Sequence, residues 1–383
     1  MRKTEVHGTV ADGFGEVREE FTAFVAEENG EPGAQLAVFH HGRQVVDLWA
    51  GADVTGETLT GLHSSTKGAT YLVVALLVQD GVLDLDQAVA RHWPEFAVAG
   101  KAGITLRDVL THRTGVIGAE DGFTVEELAD DRVIAARVAG QRPLWRPGSA
   151  YGYGGFVTGA LLGEVVRRIT GSTIQELFEA RIREPYGLDL FLGLPAEHEP
   201  RYLPIQPWLA TPEQRAEFEA YSPAPHSIAG ISYNLGPAFT PADVMAFPNA
   251  RVVRAKGQSS GGGVGSARGL AALYAAAVSE VDGRAPMLKP DTAGEFAMLH
   301  SVGTDLVGGP VSYALGFQAK GQSYPFLSTH AFGHNGSAGS EGFADPRTGI
   351  AYGYTRRRAA FAFNAPENER LAAAVTRAAT ALS

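Results

Sequence analysis

Residues 64–80 read SSTKGATYLVVALLVQD, and this stretch decides the fold. From residue 66 onward it is apolar on nearly every side, which predicts a helix over 66–80 that is buried all round. Ser64 and Lys67 are three positions apart, so they lie about one helical turn apart on one face. A serine and a lysine are therefore predicted to meet at the start of a helix that is buried on every side.

This serine–lysine spacing indicates a nucleophile and its base. A serine hydroxyl is a weak nucleophile until a base removes its proton. A lysine that burial deprives of its charge can be that base. The helix start also brings backbone N–H groups and the positive end of the helix dipole near Ser64. The alternative is an ordinary helix start whose Lys67 reaches out to solvent.

Segments with the spacing of β-strands lie toward both ends of the chain. Residues 13–28 have the apolar spacing of an amphipathic helix, and two β-rich runs then flank His41-Gly42-Arg43 as a hairpin. Near the other end, short strands are predicted at 313–319, 341–346 and 349–355, with a helix closing the chain. Strands joined by hairpins are antiparallel.

The middle of the chain has a different character. Residues 84–185 read as successive helices, and residues 195–262 read as long Pro-, Gly- and Ser-rich loops over a site. We therefore predict an α/β fold of the α+β type, in which a mainly antiparallel sheet from both chain ends is flanked by helices. Residues 1–80 and 255–383 would form this domain, and residues 81–254 would form an inserted all-helical domain.

Composition excludes several classes of function. The chain has 383 residues, 47 glycines and no cysteine, so a thiolate nucleophile and a disulfide framework are impossible. Its formal net charge of -10 disfavours nucleic acid as a partner. No apolar run is long enough to span a membrane, and no histidine pattern indicates a metal site. We expect a cytoplasmic protein without cofactor or metal, and leave its oligomeric state open.

Two further segments carry residue types suited to the same chemistry. Tyr151 and Tyr153 follow a Pro-Gly turn and precede a helix, where a tyrosine could serve as phenolate or proton relay. His334-Asn335-Gly336 precedes a hairpin, and a glycine there lets substrate approach the backbone. Taken singly, the first segment could be packing aromatics and the second a glycine-rich strand edge.

Together, these segments resemble the serine hydrolases related to class C β-lactamases, and most closely the family VIII carboxylesterases. The order of the three boxes carries the resemblance, supported by GITLRDVLTHRTGV at 103–116 and by LDLDQAVARHWPEF at 83–96. It runs from about residue 12 to the C-terminus. The phrase Thr111-His112-Arg113-Thr114-Gly115 is interpreted as structural.

The resemblance implies a role for each box. Ser64 would be the nucleophile and Lys67 its base partner. Tyr153, rather than Tyr151, matches the family tyrosine and would help Lys67 to activate the second nucleophile.

The third box completes the expected site. His334 and Gly336 match it and would contact substrate. The backbone N–H groups of Ser64 and Ser337 would form the oxyanion hole.

Two departures from the class C pattern narrow the expected substrate. Gly155, which would also contact substrate, stands where those enzymes carry an asparagine that holds the β-lactam side chain. His334, which is mostly neutral at pH 7, stands where they carry a lysine. Both changes favour small carboxylic esters, so we predict a serine esterase that forms an acyl-Ser64 intermediate.

Other functions stay open at this point. The main alternative is an acyltransferase that passes the same acyl group to an amine or alcohol, as some relatives do in secondary metabolism. A β-lactamase or D-amino-peptidase ranks third, and an inactive binding protein ranks last. Ser259 lies in a Gly-x-Ser-x-Gly match, but no strand precedes it and no helix follows it directly, so it is a poor candidate nucleophile.

Overall fold

The strands of this computed structural model lie mostly at the two ends of the chain. The structure describes residues 4–28, 31–363 and 365–382, except for the side chain of Tyr221. Within those ranges the strands are β1 Val6–Val10, β2 Ala34–His40, β3 Arg43–Ala50, β4 Thr60–Gly61, β5 Leu190–Phe191, β6 Val264–Gly265, β7 Gln318–Ala319, β8 Phe332–Asn335, β9 Glu341–Asp345 and β10 Ile350–Arg356.

Helices lie between and beside these strands. In chain order they are α1 Gly15–Glu27, α2 Thr66–Gln79, α3 Leu106–Leu110, α4 Val125–Leu128, α5 Asp131–Ala139, α6 Val157–Thr170, α7 Ile174–Phe178, α8 Glu184–Tyr186, α9 Pro212–Tyr221, α10 Ile228–Ser232, α11 Pro241–Ala246, α12 Arg251–Lys256, α13 Ala267–Val278, α14 Pro290–Ala297, α15 Lys320–Ser323 and α16 Glu367–Ala381. None of the helices in the described ranges is long and apolar enough to cross a lipid bilayer.

The main sheet joins the two ends of the chain. Its order is β1-β3-β2-β10-β9-β8-β7, and each neighbouring pair is antiparallel. The N-terminal strand β2 pairs directly with the C-terminal strand β10, with Val38 opposite Tyr352. The predicted fold class, a mainly antiparallel sheet built from both ends and flanked by helices, is confirmed.

Helices cover both faces of this sheet because the strands alternate their side chains. On β10, Tyr352 and Tyr354 are fully buried with α1 and α16. Gly353 faces the opposite way, where a Cβ atom would come within 2.4 Å of the backbone of α13. Alternate residues of one strand therefore supply the packing surfaces for two helical layers.

The predicted helix over 66–80 is present as α2, and it is buried as expected. Its apolar residues from Ala69 to Leu77 are at most 6% exposed, and the helix packs against β8. Burying each large side chain of this kind stabilises the fold by about 1.5–3 kcal/mol. The N-terminal end of α2 is thereby held rigidly beside the sheet.

A second, small sheet corrects one expectation. Its order is β4-β6-β5, and it draws one strand, Leu190–Phe191, from the segment expected to be entirely helical. Both residues are buried, and each pairs with a residue of β6. Leu190–Phe191 is thus the one strand in segment 81–254 that is longer than a single bridge, and the domain boundaries at 80/81 and 254/255 remain a prediction.

The segment 195–262 is also more ordered than expected. It contains α9 to α12, and polar residues that the composition had assigned to loops begin several of these helices. Thr211 and Ser227, for example, accept hydrogen bonds from the first turns of α9 and α10. Such N-caps stabilise short helices in sequences that lack a long apolar period.

The predicted strand at 313–319 is shorter than expected. Only Gln318–Ala319 forms a strand, whereas Tyr313 makes isolated bridges to Ser301 and Gln318.

Candidate active site

Ser64 lies in the tight turn that leads into α2. The turn spans His63–Ser65, and the preceding His63 has a left-handed backbone with φ of 46°. Its ring Nε2 lies 3.0 Å from the carbonyl oxygen of Met245, which anchors the turn to the segment that covers it. Ser64 itself stays half-buried and lines a pocket, so its hydroxyl is available to a small molecule.

Lys67 is fully buried directly beside Ser64. Its Nζ donates to the carbonyl oxygens of Gly155 at 2.6 Å and Ser260 at 2.9 Å, and lies 3.4 Å from Ser64 Oγ. No acidic side chain in the described ranges forms a salt bridge with it. Burial therefore lowers the pKa of Lys67 well below its usual 10.5. An amine that donates to two carbonyls keeps its lone pair for the proton of Ser64.

Tyr153 contacts the same hydroxyl from the other side. Its O–H donates to Ser64 Oγ at 2.6 Å, whereas the Tyr151 hydroxyl donates to the Val311 carbonyl at 3.0 Å. The structure thus brings Tyr153, and not Tyr151, to the predicted nucleophile. Burial raises the pKa of Tyr153, so its phenol is neutral. A neutral phenol can pass a proton on but cannot serve as the primary base.

The tight turn after β8 brings Ser337 to the same pocket as Ser64. Ser340 Oγ donates to the Leu62 carbonyl at 2.8 Å and lies 3.1 Å from Ser65 Oγ, which ties this turn to the start of α2. A Cβ on Gly336 would come within 2.4 Å of the Leu62 oxygen, so only glycine fits there. In the described part of the chain, no acceptor is paired with the Ser337 N–H.

His334 lies behind the tyrosine. It is 1% exposed, and its ring centroid lies 5.8 Å from that of Tyr153. Its Nδ1 lies 2.8 Å from the Asn335 carbonyl oxygen, and its Nε2 has no partner among the described residues. Burial lowers the pKa of His334 well below 6.5. The imidazole is therefore neutral, and it contributes to the pocket only as a buried part of its wall.

Gly155 is expected to contact substrate, but both of its backbone polar groups are bonded to other residues of the site. Its carbonyl accepts from Lys67, and its N–H donates to Ser232 Oγ at 3.2 Å. A Cβ at this position would come within 2.8 Å of the Ser232 carbonyl oxygen. An asparagine would not fit here without displacing Ser232.

Sequence reasoning missed several residues that surround Tyr153. The Tyr313 ring stacks on it at 6.3 Å with an angle of 3°, and the His112 ring packs edge-on at 5.2 Å. Asp305 Oδ1 accepts the Tyr153 N–H at 3.3 Å. Burial lowers the pKa of His112 to about 3, so it too is neutral. The sequence analysis interprets the segment around His112 as structural. No local sequence pattern indicates a role for Tyr313 or Asp305 at the site.

The alternative serine is placed where it cannot act. Ser259 is fully buried, and its hydroxyl is bonded to the carboxylate of Asp131. Its neighbour Ser260 supplies one of the two carbonyls that hold Lys67. The glycine-rich loop therefore supports the site, although its serine is not the nucleophile candidate. In the ranges described, no group of three or more His, Asp or Glu side chains could hold a metal ion.

Comparison with known proteins identifies a family that covers nearly the whole chain. Residues 17–377 match the Beta-lactamase family. This chain belongs to the β-lactamase family. One relative, "Esterase/beta-lactamase LipL" of Mycobacterium tuberculosis, is 30% identical over 85% of this chain and 77% of its own.

Two solved structures of related proteins have the same fold as this β-lactamase-family enzyme. EstA from Arthrobacter nitroguajacolicus Rue61a is 38% identical, with a TM-score of 0.89 over 98% of this chain and 99% of its own. A family VIII carboxylesterase is 29% identical, with a TM-score of 0.86 over 98% of this chain and 100% of its own. The predicted resemblance to this superfamily and to family VIII carboxylesterases is confirmed, and the chain is a serine hydrolase of that fold.

The interior of this β-lactamase-family site is poor in fixed charge. His63, His112 and His334 are all buried, and burial lowers the pKa of each. Within the described ranges, Lys67 is the one basic side chain that lies within hydrogen-bond distance of Ser64 Oγ.

Proposed function

We propose that this enzyme hydrolyses small carboxylic esters through an acyl-Ser64 intermediate. The observation that carries the proposal is the position of Ser64 Oγ, 2.6 Å from the Tyr153 hydroxyl and 3.4 Å from Lys67 Nζ. A nucleophile in contact with both a base and a proton relay is the arrangement that acyl transfer needs. Relatives named as esterases support the choice of ester as substrate.

In the proposed acylation step, Lys67 takes the Ser64 proton while Oγ attacks the ester carbonyl. The N–H groups of Ser64 and Ser337 stabilise the oxyanion that forms, which is the largest contribution in sites of this type. Collapse of the tetrahedral intermediate breaks the carbonyl–alkoxy bond. The proton on Lys67 then reaches the departing alkoxide through the Tyr153 hydroxyl, and the alcohol leaves.

Deacylation uses the same groups in the reverse direction. Water gives a proton, by way of Tyr153, to the neutral Lys67 and attacks the acyl carbonyl. The new tetrahedral intermediate releases the carboxylic acid, and the Lys67 proton returns to Ser64 Oγ. Each cycle consumes one water and one ester, and it leaves the enzyme in its starting protonation state.

The two departures from the class C pattern support an ester over a β-lactam. Gly155 offers no amide, and Ser232 fills the space that one would need. His334 is buried and neutral, so it supplies no positive charge for a substrate carboxylate. A neutral substrate is therefore favoured at this site.

An acyltransferase remains the second candidate because of the pocket walls. Aromatic rings of Tyr233, Tyr313 and Phe363 line the space beside Ser64, and such a surface favours an apolar acceptor over water. The solved structure of EstCE1, "a hydrolase with promiscuous acyltransferase activity", shares the fold at 18% identity and a TM-score of 0.70. Partitioning of the acyl group between water and an added amine or alcohol distinguishes the two functions.

The location and partners of the enzyme remain part of the proposal. A net charge of -10 supports the prediction that nucleic acid is not a partner. A cytoplasmic location is likewise a prediction, which fractionation of the producing cells would test.

The test is intact-protein mass spectrometry during turnover of a p-nitrophenyl ester. We expect an acyl adduct on Ser64, and we expect Ser64→Ala to lose the adduct and about 10,000-fold or more in kcat. Ser259→Ala is the matched control and keeps the adduct. Full acylation of Ser64→Ala, or loss of acylation in a folded Ser259→Ala, would show that the nucleophile is wrongly assigned.

A further inference from the structure

The space around Ser64 is divided unequally, and this division bears on which esters fit the proposed function. Ser64 lines a cavity of only about 30 Å³, whose walls include Phe156, Val244 and Phe247. It also lines a pocket of about 220 Å³, whose walls include Tyr313 and Phe363. The first has room for a group of one or two carbon atoms, and the second for a larger one.

A third cavity, of about 330 Å³, lies next to the wider pocket. Phe218 and Leu235 contribute to its largely apolar lining, and Glu217 is its only charged lining residue within the described ranges. The mechanism proposed above uses none of the residues that this cavity adds. Its volume falls in the range of sites that hold small molecules.

Tyr233 and Phe363 form the wall that the two larger spaces share. Both residues line the wider pocket and the third cavity. Their rings stack at 6.0 Å with an angle of 12°. The third cavity is therefore adjacent to the space beside Ser64, and these two rings line both.

The backbone under Phe363 is unusual for its residue types. Ala362 and Phe363 have φ of 51° and 63°, in the left-handed region that such residues rarely adopt. Non-glycine residues in this region are found where the surrounding structure fixes them, often at binding sites. Here the result is a Phe363 ring that packs against Tyr233 on one side and near Phe218, at 6.3 Å, on another.

The helix α9 closes the far side of the third cavity. Phe218 on α9 packs at 5.0 Å from Trp208 and at 6.0 Å from Phe361. The chain near Trp208 is in turn fixed to the segment after β10, because the Ala359 N–H donates to the Gln206 carbonyl at 2.9 Å. Three separate stretches of sequence, within 214–223, 233–241 and 361–363, thus line one apolar space near the proposed nucleophile.

We propose that the third cavity binds a bulky apolar group, an alkyl chain or an aromatic ring system, on one side of the scissile ester. This inference rests on the proposed esterase function and narrows its substrate class. The group on the other side of the ester is short, because the cavity of about 30 Å³ limits it. Binding gains from the removal of apolar surface from water, since the cavity walls are mostly hydrocarbon.

Two matched ester series test this inference. The first compares p-nitrophenyl octanoate with p-nitrophenyl acetate, which varies the acyl group. The second compares 2-naphthyl acetate with phenyl acetate, which varies the alcohol at similar leaving-group basicity. We expect kcat/KM to favour the bulky member at least tenfold in one series, and that series identifies which part of the ester the cavity holds. No preference in either series overturns the inference.

Substitutions in the cavity walls test whether the preference for the bulky ester arises from the third cavity. Ser222→Phe fills the space and Phe218→Ala removes a wall, so each should lower the bulky-to-small ratio of kcat/KM about tenfold. The control is Leu209→Ala, at a 51% exposed residue outside the cavity, which should keep the ratio. An unchanged ratio in both wall variants, with thermal unfolding showing them folded, overturns the inference.

The outcomes also separate this inference from the proposed function. If p-nitrophenyl acetate acylates Ser64 but the cavity-wall variants leave the bulky-to-small ratio of kcat/KM unchanged, only the inferred substrate class is wrong. If Ser64→Ala still turns over both members of a series, the proposed esterase mechanism itself fails.

Discussion

Two lysines, Lys67 and Lys320, are buried to nearly the same degree but have opposite surroundings. Lys67 is 0% exposed and Lys320 is 3% exposed. Lys320 forms an ion pair with the buried carboxylate of Glu341 and donates to Gln318 Oε1 at 3.3 Å. Lys67 has two carbonyl oxygens and the Ser64 hydroxyl instead.

The difference shows that the partner, rather than burial alone, decides what a buried lysine does. A buried ammonium is costly unless an opposite charge compensates it. Glu341 on β9 supplies that charge to Lys320, so the ion pair ties the start of α15 to the sheet. No carboxylate in the described part of the chain supplies it to Lys67, so burial lowers the pKa of Lys67, and we propose that its amine is the base for Ser64.

The largest effect predicted from this comparison is on catalysis. Lys67→Met keeps the volume and the burial but removes the base, so we expect kcat/KM for a p-nitrophenyl ester to fall about 10,000-fold. Steady-state kinetics measure the loss, and circular dichroism checks the fold.

The matched control replaces the other lysine. Lys320→Met, assayed well below its unfolding temperature, should keep activity of the same order as the wild type. If the two variants lose similar activity while folded, the contrast between a catalytic and a structural lysine is wrong.

The second prediction concerns stability. Lys320→Met leaves Glu341 buried without its cation, and breaking a buried pair in this way costs about 3–5 kcal/mol. The free energy of unfolding from urea titration measures the cost. Adding Glu341→Gln to Lys320→Met removes the stranded charge and should restore part of the loss. A single variant as stable as the wild type would contradict the structural role of the pair.

Local patterns allowed the scaffold of the site to be predicted. The all-round apolar character of residues 66–80 predicted α2, and the turn at His41-Gly42 predicted the hairpin of β2 and β3. Both features depend on neighbours in sequence, so their physical causes can be read from a short window. The approach of Ser64 to Lys67 belongs to the same class, because one helical turn sets their separation.

Contacts between distant segments could not be read in this way. The carbonyls of Gly155 and Ser260 hold Lys67, but any residue has a carbonyl, so no residue type marks them. Tyr313 stacks on Tyr153 from a stretch that was read as an ordinary strand. The burial of His334 likewise arises from packing around it, and the sequence alone pointed to a direct substrate contact.

The last prediction concerns how stability depends on pH. The unfolded chain holds the Lys67 proton up to about pH 10.5, whereas the folded chain releases it at a lower pH because burial lowers that pKa. Between the two values the unfolded state binds one more proton, so raising the pH stabilises the fold by up to about 1.4 kcal/mol per pH unit. Lys67→Met lacks this contribution. Urea titrations of both proteins from pH 7 to 10 should therefore diverge, with the wild type gaining stability relative to the variant as pH rises, and parallel curves would show that Lys67 keeps an ordinary pKa.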